Sequence, residues 1–143
     1  MKTLKTALKV LLIAVIAIAI WENTWHWLTP ERRHERHLRQ CVQTYTEYKE
    51  VLNTALPRLR DQETPTDEAH MILDPLYAYV RGDSPEKRLI DIPLINFGDF
   101  YQYTYTYGLV WAADVGRLLE KNPGLVIVSL GDGWYAYASM HPQ

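Results

Sequence analysis

The sequence predicts an α+β chain: an N-terminal membrane helix and an amphipathic stalk helix, followed by a small antiparallel or mixed sheet of three to five strands with helices on one face. Three observations carry this. Residues 10–21 form an uninterrupted apolar run behind Lys2, Lys5 and Lys9. Apolar residues then recur at three- and four-residue spacing from Leu38 to Leu59, the period of a one-sided helix. Beyond Leu76, short apolar or alternating segments are separated by Gly, Pro, Asn and Asp clusters, which mark strands and turns. The expected division is 1–28 membrane segment, 29–63 stalk helix and 64–143 α+β domain.

The N-terminal segment has two readings. As an uncleaved anchor, its bare run is short: at ~1.5 Å per residue it spans about 18 Å, against a hydrocarbon core of roughly 30 Å. Leu4, Ala7 and Leu8 extend it, because Lys5 and Lys9 lie one turn apart and can reach the headgroups. Trp21, Trp25 and Trp27 then sit at the far interface, where an indole is apolar on its face and polar at N–H. As a cleaved signal peptide, Ala17-Ile18-Ala19 offers a small-x-small site, and the mature chain starts at Ile20. The tryptophans favour the anchor. A short tail bearing three lysines is hard to translocate, so the bulk of the chain is expected outside the cytoplasm. The expected location is a cell inner membrane, crossed once.

Composition excludes some classes. The net charge of −2 argues against nucleic-acid binding. Cys41 is the one cysteine, which leaves no disulfide framework or Cys-rich zinc site. No Asn-x-Ser/Thr acceptor occurs, nor a Walker, Gly-x-Ser-x-Gly or His-Glu-x-x-His pattern, and no cofactor is expected.

Thr29-Pro30-Glu31 reads as a helix start, with an N-cap hydroxyl, proline at the first position and an acid in the first turn. The helix should reach about Leu56, where Pro57 kinks it or begins a second piece. Residues 62–66 read as a linker and 66–73 as a short helix. Residues 76–81 and 88–95 read as strands, joined by Gly82-Asp83-Ser84-Pro85. Pro93 marks an edge or bulge. Tyr101 to Tyr107 alternate with Gln102, Thr104 and Thr106, a strand signal, although a helix from Asp99 would align Phe97, Tyr101, Tyr105 and Leu109. Residues 109–121 read as a helix stopped by Asn122-Pro123-Gly124. Residues 125–130 and 134–140 form a hairpin around a three-residue Gly131-Asp132-Gly133 loop.

Ten tyrosines stand against two phenylalanines. Tyr77 and Tyr79, then Tyr101, Tyr103, Tyr105 and Tyr107, then Tyr135 and Tyr137 alternate within strands, so each set lies on a single face. If the sets share a face, the sheet carries a tyrosine surface suited to a protein, peptide or glycan. The alternative is that the rings pack under a covering helix. His34, His37 and Cys41 share a helix face and could ligate zinc or copper, although a packed cysteine and a solvated charged face explain them as well. Asp67, His70 and Asp74 have acid–base spacing with no nucleophile beside them. Arg81-Gly82-Asp83 spells an adhesion tripeptide within an ordinary turn.

The expected function is that of an interaction protein, held to a bilayer and binding another envelope protein, with self-association as a further option. The alternatives are a secreted or periplasmic glycan- or peptide-binding module, and a metal protein or enzyme built on the histidine sets.

Overall fold

In a computed structural model of the chain, residues 2–28, 30–61, 75–98 and 103–142 are described. They form two compact units, Met1–Arg36 and His37–Gln143.

The first unit holds helix α1 (Lys2–Leu28) and the start of α2 (Pro30–Arg60). Within α1, Leu4–Glu22 is long and apolar enough to cross a membrane, and its surface is wholly exposed. At ~1.5 Å per residue that window spans about 28 Å, close to a hydrocarbon core.

The second unit begins inside α2. Leu38, Cys41, Tyr45, Leu52, Ala55 and Leu59 are buried and Tyr48 is half-buried. The alternating three- and four-residue steps keep these side chains on one stripe of the helix. From His37 on, the segment expected to be a stalk is therefore half of a core. The helix does not break at Pro57 but runs through it to Arg60. Leu56 and Leu59 on either side both belong to the core, and Asp61 N–H closes the last turn on Pro57 O at 3.0 Å.

The other half is an antiparallel sheet of five strands: β1 (Tyr79–Arg81), β2 (Leu89–Gly98), β3 (Tyr103–Ala112), β4 (Val126–Gly131) and β5 (Trp134–Pro142), ordered β1-β2-β3-β5-β4. A short helix α3 (Val115–Lys121) joins β3 to β4, its first turn capped by Asp114, whose Oδ1 accepts the Arg117 N–H at 3.1 Å. Val80, Ile90, Ile92, Tyr107, Leu109, Trp111, Trp134 and Ala136 are buried on the sheet face that α2 covers. Tyr45 approaches Trp134 with ring centroids 6.3 Å apart, and His37 approaches Tyr107 at 4.7 Å.

Three further expectations need correction. Leu109 to Ala112 continue β3 and do not open a helix; α3 starts only at Val115. Leu109 and Trp111 point to the core while Val110 is buried on the other face, so a strand buried on both sides lost its alternation. The β4–β5 loop has two residues, since Gly131 pairs with Trp134. Asp132 and Gly133 both take positive φ, 56° and 80°, which a type I′ turn demands. The first strand is shorter than read, three residues from Tyr79. Pro93 does lie at a bulge, where the β2–β3 register shifts before Ile95. Since β1 pairs only with Leu89 to Asp91, Pro93 faces no β1 ladder that would need its missing N–H. The short helix over 66–73 lies outside the described residues.

Candidate functional site

The tyrosine sets lie on opposite faces of the sheet. Tyr107 stands opposite Ala138 in the β3–β5 register and Gly108 opposite Tyr137, so alternation sends Tyr107 toward α2 and Tyr137 away from it. Tyr105 and Tyr107 are buried under the helix. Tyr103, on the same side, is more exposed, and Tyr77 is exposed before β1. Tyr79 and Tyr135, half-buried, share the open face with Tyr137, which is buried. Tyr101 lies outside the described residues.

On that open face, Tyr137 organises a groove of about 280 Å³. Its ring lies over Gly108, where an added Cβ would come within 3.0 Å of Tyr137 Cε1. Its hydroxyl crosses β3 and donates to Asp91 Oδ1 of β2 at 2.7 Å. Leu118 of α3 and Asn122, which caps that helix, wall the groove on one side, and Thr106, Ser139 and His141 continue it along the sheet. Ser139 Oγ and His141 Nε2, one step of the pleat apart, are hydrogen-bonded at 2.6 Å.

Electrostatics keep the Asp91–Tyr137 pair in one protonation pattern. Burial raises the Asp91 carboxyl above its ordinary range, against the opposing effects of the Tyr137 hydrogen bond and the Arg81 charge. Burial, and then the neighbouring Asp91 charge, push the Tyr137 phenol far up, so it stays a neutral donor. The groove therefore offers a partly desolvated carboxylate beside a guanidinium, flanked by Leu89, Val110 and Leu125. It can seat a small amphipathic group. The Ser139–His141 pair resembles half of an acyl-transfer set, but such chemistry also needs a group orienting the imidazole. Among the described residues no carboxylate bonds the second nitrogen of His141.

Asp91, Ser139 and His141 were not singled out in the sequence. The available signals were an aspartate inside the apolar run Leu89-Ile90-Asp91-Ile92, and a glycine inside a strand, which marks close approach.

The other candidates are placed differently. Cys41 is fully buried, and burial holds its thiol up to about 11. His37 Nδ1 is 2.9 Å from Gln40 Oε1, on the ring that stacks against Tyr107. No three His, Cys, Asp or Glu side chains gather as a metal site among the described residues. Asp67, His70 and Asp74 lie outside the described residues. On α1, Lys5, Lys9 and Trp21 are exposed, and Trp25 and Trp27 fall in its last turns.

Compared with known proteins, the chain matches no family model, no curated protein sequence and no solved structure.

Proposed function

We propose that the chain is a single-pass membrane protein of the cell envelope whose small α+β domain lies outside the cytoplasm and acts by binding another envelope protein. The observation that carries this is α1. A helix that exposes Leu4, Leu8, Leu11, Leu12, Ile13, Ile16 and Ile20 leaves a large apolar surface facing water, unless a bilayer or a partner covers it. Lys5 and Lys9 at one end and Trp21 toward the other match the flanks of a spanning segment, and the lysine-bearing tail favours a cytoplasmic N-terminus. Crosslinking in native membranes tests the reading. The expected result is a specific adduct between the full-length chain and a second envelope protein. A domain that stays uncrosslinked and monodisperse would contradict it.

The open-face groove favours a second reading, a module that binds a peptide or glycan fragment. In that case Tyr137→Phe, which leaves Asp91 without its donor, should weaken binding of cell-wall fragments. Unchanged tyrosine resonances on adding such fragments to the wild type would exclude it.

A further inference from the structure

We propose that the hollow between the β1–β2 connection and α3 is a binding site for a phosphate group. It stands whether or not α1 spans a membrane, because it belongs to the α+β unit alone. Residues 62–143 carry eleven Asp and Glu but only five Lys and Arg: Arg81, Lys87, Arg88, Arg117 and Lys121. All five line one hollow of about 310 Å³. In an acidic stretch, cations spread for solubility would be scattered among the carboxylates. Here the fold collects every one of them.

Three elements bring them in. Arg81 ends β1, and Lys87 and Arg88 follow the turn into β2. Arg117 and Lys121 stand four residues apart on α3, on one side of that helix. Arg88 is the buried member, 2% exposed, and its backbone is fixed at both ends: its N–H donates to Pro85 O, and its carbonyl accepts from Ala113 N–H at 3.1 Å. Two carboxylates, Asp83 and Asp114, also line the hollow. Both face the protein's own donors, Asp83 lying 3.4 Å from Lys87 Nζ and Asp114 accepting the Arg117 N–H. Beyond the lining, Asp91 interacts with Arg81 and Asp61 with Arg88, so five cations against four engaged carboxylates still leave a positive surplus in a concave, partly desolvated space, where charge acts more strongly than on open surface. Three of the five are arginines, whose planar forks pair with phosphate oxygens two at a time. The hollow is large enough for a phosphate together with the first atoms of whatever carries it, either a soluble phosphate ester or a lipid headgroup.

The test uses the full chain in a nonionic detergent, titrated calorimetrically with inorganic phosphate at constant ionic strength. Saturable binding is expected, at least about tenfold weaker in the Arg117→Gln, Lys121→Gln double variant. That variant spares buried Arg88, and near-ultraviolet circular dichroism checks its fold. Absence of saturable binding, or equal affinity in a folded double variant, would overturn the proposal. A second arm adds short-chain phosphatidylglycerol. Displacement of phosphate identifies a lipid headgroup as the natural source, and failure to displace identifies a soluble phosphate.

Discussion

Tyr137 reaches Asp91 by laying its ring across Gly108. The hydroxyl of a residue on β5 bonds the carboxylate of one on β2 at 2.7 Å, and the strand between them, β3, presents no side chain at the crossing point. The contact pins three strands on the face that α2 leaves open. It also explains why a glycine stands inside β3.

Gly108→Ala should therefore be costly. An added Cβ would collide with Ile92 O and come to 3.0 Å from Tyr137 Cε1, so backbone as well as ring must shift, at about 1–3 kcal/mol for overpacking of this kind. Gly124→Ala meets nothing within 4 Å and should be close to neutral. Urea denaturation of the two variants measures the contrast.

Asp91→Asn should make stability less dependent on pH. The folded pKa of Asp91 is raised above its ordinary 3.8 by burial, so the folded chain holds that proton more tightly than the unfolded chain. The resulting stabilisation is fully present below 3.8 and is lost as pH rises through the folded value. Asparagine still accepts the Tyr137 hydrogen bond and carries no charge. The variant's melting temperature relative to wild type should thus climb as pH rises above the ordinary carboxylate value, then level off. Thermal melts from about pH 3 to about pH 8 read this directly.

If α2 is part of the domain core, Leu52→Ala should destabilise the domain by about 2–5 kcal/mol through lost burial and the cavity left behind. Its neighbour Val51 is 44% exposed, so Val51→Ala should stay within about 0.5 kcal/mol. A free stalk would show no such difference in equilibrium unfolding of the sheet, followed by tryptophan fluorescence.

Cys41 should be inert in the folded chain. With its thiol held up to about 11 and its side chain fully buried, the thiolate is scarce at neutral pH. Thiol reagents should label it only after denaturation, as mass spectrometry before and after urea would record.

Much of the fold was legible because its periods are clean. The three-four stripe from Leu38 to Leu59, the alternation of Tyr103, Tyr105 and Tyr107, and the glycines that place the last hairpin each encode local geometry, although that hairpin's loop is one residue shorter than the sequence suggests. Leu109 to Ala112 were misread because a strand buried on both faces has no polar alternation to show. The tyrosine sets could not be assigned to faces, since each set fixes its own parity while register between strands is set only in the folded sheet. For the same reason the Asp91–Tyr137 groove and the convergence of the five cations were invisible: each joins residues that share no local pattern.

The central claim, that the chain is held to a membrane by α1, is tested most directly by intact mass of the protein recovered from native-host membranes, alongside carbonate extraction. A full-length mass that stays with the membrane pellet at high pH is expected. A mass beginning at Ile20 in the soluble fraction would contradict it and make the α+β unit a free domain.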